Sequence, residues 1–373
     1  MQTAKPFSQF IPLTPSDSPI PFPTPPGPYK VGTLSLEATD TSRLDPFGFI
    51  PHHRRLMFSF FYPTTNPEDH PFAAYMPSVR LATDFDEIDH FPPGTTARYQ
   101  PQAHSGAPVH NPGPSLPVIL FSTGFGVLRE HYTIMLQNLA SEGYFCVSIG
   151  HTYDTAIHFP DGETVWQSVR AGEDPELSTR VRAEDALFSL SRLADAAFCE
   201  QIPGLATEML DLGRVGMLGH SLGGAAALEA MVMDERIKGG VNLDGAFQGE
   251  QMTVGTERPF LVISAPKEKG EEDPSLGKTW ERLRGWKAAL EIEGAIHMSF
   301  ADCCTYFKLL DVLDIVDPKR KLWGTIDPLR MMVVQSTYLK AFFDFVLKGG
   351  TDHIFKSPDR AFPEVKICFG EEG

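Results

Sequence analysis

The sequence is poor in cysteine, has no long uninterrupted apolar run and carries no excess of positive charge, and each shortage closes off a class of protein. Five cysteines in 373 residues (Cys146, Cys199, Cys303, Cys304 and Cys368) do not make a disulfide framework, and none stands in a C-x-x-C pair. A reducing compartment is the expected setting. The formal net charge of −16 sets the protein against nucleic acid and anionic membrane surfaces, whose phosphates would meet a like-signed surface at long range. No nucleic-acid partner is expected, while a neutral small molecule is not excluded. The opening stretch MQTAKPFSQFIPLTPSDSPIPFPTPP has no basic region followed by an apolar core, since prolines and polar residues break every short hydrophobic run. No N-x-S/T sequon occurs, and together these absences predict a cytoplasmic protein without a secretory leader.

Two cofactor motifs are also missing. The stretch from Gly124 through Gly126 to Arg129 lacks the third glycine of a dinucleotide fingerprint, and no acidic residue closes a second strand about 20 residues on. Gly277-Lys278-Thr279 ends like a phosphate loop, but the position five before Gly277 is Glu272, so the spacing fails. Cys303-Cys304 has no paired Cys/His spacing and reads as small buried apolar residues. No cofactor and no metal are expected.

What is present is enough apolar sequence, 42% of residues, to bury a sizeable core. The proline-rich head through about residue 28 reads as an extended, loosely held segment, and residues 29–373 as one domain. TLSLEA (33–38) and RRLMFSFFYPT (54–64) read as strands near a sheet edge. Residues 86–115, rich in Pro, Gly and His, read as a long loop insertion. From about residue 117 the runs LPVILFS, YFCVSIG, RVGMLG, GGVNL, PFLVISA and WKAALEIEG alternate with helix-length segments over 129–142, 176–196, 222–234 and 276–285. That rhythm predicts a mostly parallel sheet with crossover helices. LRMMVVQSTYLKAFFDFVL is interrupted by Arg330, Gln335, Lys340 and Asp344, so it predicts a partly buried helix, with Asp327 as N-cap, Pro328 at the first position and Gly349 as terminator.

Gly219-His220-Ser221-Leu222-Gly223 lies where strand-like RVGMLG meets helix-like GGAAALEA. This is the setting of a nucleophile elbow, a strand-to-helix turn so sharp that only glycines fit two positions either side of the serine. The plainer reading is a serine that merely caps a helix. A serine hydroxyl needs a base to take its proton and a third group to orient that base. His297, after the last strong strand candidate, occupies the base's place in chain order. His151, His158 and His220 lie nearer the core sequence, but His220 adjoins the serine too closely to bond it in line; His52, His53, His70, His90, His104 and His110 precede the elbow in loop-like sequence, and His353 has little around it. The acid has two possible positions: Asp244 alone at a strand end, or the charged run Glu268, Glu271, Glu272 and Asp273 after the next strand. A run of that kind usually marks a solvated loop. The backbone N–H groups of Leu222 and Phe125 are the expected oxyanion donors.

With LFSTGFG, GHTYD, GHSLGGAAALEA, VNLDGAF and GAIHMSFAD in place, the chain resembles the platelet-activating-factor acetylhydrolase family, in its plasma and intracellular lipase-like branch and particularly its fungal members, over roughly residues 30–347. The resemblance implies an α/β-hydrolase fold, with a mostly parallel central sheet flanked by helices and antiparallel strands at the N-terminal edge. It also implies that Asp244 is the acid of a Ser221–Asp244–His297 triad, and that the reaction is calcium-independent hydrolysis of a short acyl ester such as 1-alkyl-2-acetylglycerophosphocholine. Thr123-Gly124 stands where the family often has His-Gly, and the head and the 86–115 stretch depart from the better-known members, so the substrate pockets are not inherited. The same triad could serve a biosynthetic thioesterase or a lactone-forming enzyme. A binding protein on a dormant hydrolase fold fits an intact triad less well.

Overall fold

Apolar runs flanked by turn residues become strands here because both faces of each are covered, which lets them dispense with alternation. The computed structural model describes residues 17–65, 67–267 and 273–369. Ten strands make the main sheet: β1 (Lys30–Leu44), β2 (His53–Thr64), β3 (Ala103–Ser105), β4 (Leu116–Ser122), β5 (Phe145–Gly150), β6 (Leu210–His220), β7 (Ile237–Leu243), β8 (Phe260–Ser264), β9 (Lys287–Ile292) and β10 (Val365–Phe369). Their order across the sheet is β10-β9-β8-β7-β6-β4-β5-β2-β1-β3. The pairs from β5 through β9 are parallel, whereas β1–β2, β2–β5 and β9–β10 are antiparallel. This is the α/β-hydrolase arrangement.

The helices that matter for the site are α1 (Val79–Ile88), α2 (Thr133–Ser141), α3 (Pro175–Leu193), α4 (Leu222–Met233), α5 (Pro274–Trp280) and α6 (Pro328–Lys348). Alternation within β4 divides the core. Ile119 and Phe121 face α2 and α6 with Leu136, Leu139, Val334 and Leu339, while Val118 and Leu120 face α3 and α4 with Ala186, Leu190, Ala226 and Met231. Helix α6 starts on Asp327, whose carboxylate accepts the N–H groups of Leu329 and Arg330, and stops at Gly349 in the left-handed region. Among the described residues no helix is long and apolar enough to cross a membrane.

Three expectations need correcting. The head is fastened from residue 20 onward: Ile20–Pro21 pairs in parallel with Tyr99–Gln100, and Phe22 is buried with its ring edge-on to Tyr75. Residues 1–16 lie outside the described residues. The 86–115 stretch is not one loop, because it begins within α1, supplies the partner for the head and contributes edge strand β3; Phe91, Tyr99 and Ala103 are buried there despite the surrounding prolines. The helix expected over 276–285 ends at Trp280, since the backbone of 282–284 exchanges hydrogen bonds with Thr256 instead (Thr256 N–H to Arg282 O 3.2 Å, Arg284 N–H to Thr256 O 2.8 Å).

Candidate active site

Strand β6 ends at His220 and α4 begins at Leu222, so Ser221 alone makes the turn. Its backbone sits at φ 56°, ψ −123°, a conformation that costs a non-glycine residue on the order of 1–3 kcal/mol and persists only where the surroundings impose it. The imposition is visible. The Ser221 N–H donates to the Leu243 carbonyl at 2.9 Å, and the flanking glycines allow main chain to touch main chain: a Cβ on Gly219 would collide with the Gly223 carbonyl, and one on Gly223 with the Ser122 carbonyl. The Ser221 side chain makes no capping hydrogen bond, so the serine is not there to cap α4.

Asp244 follows β7 directly, at the strand that neighbours the elbow, and takes φ 52°. Its N–H donates to the Ile263 carbonyl (2.8 Å), and the turn after it is held by Asn242, whose side chain bonds both the N–H and the carbonyl of Gly245. His297 opens a short 3-10 turn (His297–Phe300) after β9. Its Nδ1 lies 2.7 Å from Asp244 Oδ2. The carboxylate is 1% exposed and the imidazole 45%, so the carboxylate is sealed while the ring still reaches outward. The Ala265 N–H (3.0 Å) and Lys267 Nζ (2.9 Å) donate to Oδ1, and Lys267 also reaches Oδ2 at 3.1 Å. Burial alone would raise the Asp244 carboxyl, but the hydrogen bonds from His297 and Lys267, together with the Lys267 charge, outweigh it and hold the group below its ordinary value. Asp244 is therefore an anion that fixes the Nδ1–H tautomer of His297 and leaves Nε2 as the basic nitrogen.

The loop after β4 lies against the elbow, where a Cβ on Gly223 would strike the Thr123 carbonyl and one on Gly124 would crowd His220 Nδ1. Val127 N–H donates to the Gly124 carbonyl (3.2 Å) and Gly126 takes φ 76°, the positive angle that the third position of a type II turn requires. With the Gly124 carbonyl committed to that turn, the trans peptide aims the Phe125 N–H the opposite way, and this N–H has no protein acceptor among the described residues. The Leu222 N–H, first in α4, has no intrahelical carbonyl to reach. Among the described residues neither amide has an acceptor, and both belong to half-buried residues near the elbow.

Of the residues singled out from sequence, the structure joins His297 to Asp244 and sets His220, the neighbour of Ser221, with its ring 4.6 Å from that of His297. Asp273, from the rival acid position, caps α5 through Ser275, and Glu268, Glu271 and Glu272 lie outside the described residues. His353 is exposed in a short turn after α6. Sequence reasoning missed Lys267, and it missed a second Ser-His-Asp constellation as well. Ser122 Oγ lies 2.8 Å from His151 Nε2, and His151 Nδ1 lies 2.8 Å from Asp185 Oδ2. All three are fully buried, so this serine meets no substrate. Arg54, sealed at 0% exposure, pairs with Asp45 and Asp185 at 2.7 Å each, and Arg182 pairs with Asp154 at 2.5 Å while donating to Ser122 Oγ and the Thr123 carbonyl. The Asp154 carbonyl accepts the Gly126 N–H at 3.1 Å. This network clamps the Thr123–Gly126 loop from below. Burial pushes His151 down to about 4, which keeps it neutral. The only sequence signal for it is GHTYD, whose histidine directly follows a strand.

The chain is similar to several known proteins. The family model "Platelet-activating factor acetylhydrolase, isoform II" matches residues 20–161 and 204–353. An Arthroderma benhamiae protein named "Probable 1-alkyl-2-acetylglycerophosphocholine esterase" is 29% identical over 374 residues, covering 92% of each chain. The Gallus gallus protein "Platelet-activating factor acetylhydrolase" is 23% identical over 252 residues, covering 58% of each. Among solved structures, a ferulic acid esterase from Streptomyces cinnamoneus superposes with a TM-score of 0.79 at 29% identity, covering 94% of this chain and 99% of that one.

Proposed function

The chain belongs to the platelet-activating factor acetylhydrolase isoform II family and is a carboxylic ester hydrolase; from that premise we propose that it cleaves short acyl esters of lipids, in particular the acetyl ester of a 1-alkyl-2-acetylglycerophosphocholine, through an acyl-enzyme on Ser221. The observation that carries the reading is the 2.7 Å Asp244–His297 pair beside a strained serine at the elbow. His297 Nε2 takes the Ser221 proton as Oγ attacks the ester carbonyl, then returns a proton to the departing alcohol. Asp244 keeps the imidazole in the required tautomer and stabilises its charge. The Phe125 and Leu222 amides receive the oxyanion, where losing one donor costs about 3–4 kcal/mol of transition-state stabilisation. Water then attacks the acyl-enzyme, with His297 again as base. Nucleophile, base and oxyanion donors all come from the chain, so neither cofactor nor calcium is needed for these steps.

We treat residues 29–373 as one catalytic domain, supported by a single large sheet whose strands run from residue 30 to residue 369. A reducing, cytoplasmic setting is supported by five free thiols, four of them buried.

The test is acyl-chain preference. Rates of acetate release from 1-alkyl-2-acetylglycerophosphocholine, and of hydrolysis of p-nitrophenyl esters from acetyl to palmitoyl and of methyl ferulate, are measured with and without a chelator. Acetyl esters should be cleaved fastest, chelation should change nothing, and Ser221→Ala should be inactive. A long-chain optimum, a preference for the ferulate or loss of activity on chelation would overturn the proposal.

A further inference from the structure

His220 was set aside as a base because it adjoins the serine, yet its buried ring connects the two halves of the site. Its Nε2 lies 2.9 Å from the backbone carbonyl of His297, and its Nδ1 lies 2.8 Å from the hydroxyl of Tyr132. That hydroxyl also lies 3.0 Å from the Gly124 N–H. The protons in this chain have one consistent arrangement. A carbonyl can only accept, so His220 Nε2 carries the hydrogen. The ring is neutral, because burial, aided by the side chains of His297 and Arg182, outweighs the opposing pull of the His297 carbonyl and of Asp244 and pushes it down to about 3, so Nδ1 is a lone pair. Tyr132 must then donate to Nδ1. Its oxygen is left to accept from Gly124, which as an N–H can only donate.

Resting on the proposed roles of Ser221 and His297, we infer that His220 and Tyr132 are positioning residues: a one-way hydrogen-bond relay, Gly124 N–H to Tyr132 to His220 to the His297 carbonyl, that sets the base loop and the oxyanion loop at a fixed separation. The base loop needs such a tie. The His297 imidazole is half exposed, and Asp244 holds it at one nitrogen only. A second anchor on the backbone of the same residue removes the remaining freedom. The oxyanion loop is tied at Gly124, one residue before the proposed donor Phe125. The fit is close: a Cβ on Gly124 would lie 2.9 Å from His220 Nδ1 and 3.1 Å from the Tyr132 hydroxyl. Tyr132 and His220 are both fully buried, so neither touches substrate. Their effect falls on the step in which charge moves between the two loops, and therefore on kcat more than on KM.

The experiment uses the full chain with p-nitrophenyl acetate. His220→Leu removes the donor to His297 and should lower kcat at least 30-fold with KM within about threefold, whereas His220→Gln keeps an N–H near the position of Nε2 and should recover at least tenfold of that loss. Tyr132→Phe should lower kcat about tenfold, and combining it with His220→Leu should cost no more than His220→Leu alone, since both cut one relay. In the wild-type protein, which needs no variant to fold, side-chain 15N spectra should show His220 protonated at Nε2 and bare at Nδ1 from pH 5 to 8. A kcat within threefold of wild type for His220→Leu, losses that multiply in the double variant, absence of rescue by glutamine, or a hydrogen on Nδ1 would each overturn the relay. Fluorophosphonate labelling of wild-type Ser221 separates the two layers: no label on Ser221 defeats the catalytic assignment itself, while a normal label with indifferent variants defeats only the relay.

Discussion

Replacing Asp244 with asparagine is a demanding perturbation because the surroundings dictate which way the new amide points. Oδ1 of the aspartate accepts from the Ala265 N–H at 3.0 Å and from Lys267 Nζ at 2.9 Å. Both are donors, so an asparagine at 244 must place its oxygen there and turn its NH2 toward His297. Nδ1 of His297 would then have to accept, which moves the ring hydrogen to Nε2, facing Ser221. The proposed base loses the lone pair it needs. Trapping the wrong tautomer costs a triad enzyme about 10⁴ in kcat, or roughly 5.5 kcal/mol at 1.36 kcal/mol per tenfold. Folding should be little affected, because the amide oxygen keeps the Ala265 and Lys267 hydrogen bonds and Lys267, 39% exposed, keeps its water; since the side chain at 244 is itself sealed, a change of up to about 2 kcal/mol is expected. Steady-state hydrolysis of p-nitrophenyl acetate by Asp244→Asn, beside a thermal melt, measures both. A kcat within tenfold of wild type in a normally folded variant would refute the reasoning and return the acid's role to the 268–273 segment.

Two further outcomes follow from buried charge. Arg182→Met leaves Asp154 sealed at 1% exposure without its partner, which should destabilise the fold by about 3–5 kcal/mol in a denaturant titration; a change below about 1 kcal/mol would show that the clamp under the oxyanion loop is not a buried ion pair. His220 stays neutral in the folded protein down to about 3 but ionises near 6.5 when unfolded. Between those values the folded state holds fewer protons, so stability is lost as pH falls below 6.5. Relative to His220→Gln, which does not titrate, wild type should lose about 2 kcal/mol between pH 7 and pH 5, and a stability difference that stays constant across that range would contradict it.

The parts of the site that were legible in the sequence are those whose local backbone demands particular residue types. The elbow needs glycine at 219 and 223 because main chain passes against main chain there, and Asp244 and His297 follow strand ends whose apolar runs are plain to read. The unreadable parts depend on contacts between distant segments. Tyr132 and His220 are 88 residues apart, His220 and His297 are 77 apart, and nothing near any of them in the chain signals the partner. Ser122, His151 and Asp185 likewise lie on three separate elements, and their burial is what distinguishes a clamp from a catalytic triad. The fold follows the same division. Strands β4, β5 and β8 are short, almost wholly buried runs, whereas the 86–115 stretch hides an edge strand among prolines because its buried apolar side chains, among them Phe91, Tyr99, Ala103, Ala107 and Val109, are scattered.

Two Ser-His-Asp constellations within one protein make the central claim directly measurable. A fluorophosphonate probe applied to the native protein, followed by peptide mapping, should place a single adduct on Ser221, with none in Ser221→Ala and a much slower one in Asp244→Asn. An adduct on Ser122, or on any other residue while Ser221 stays unmodified, would contradict the assignment of the catalytic serine.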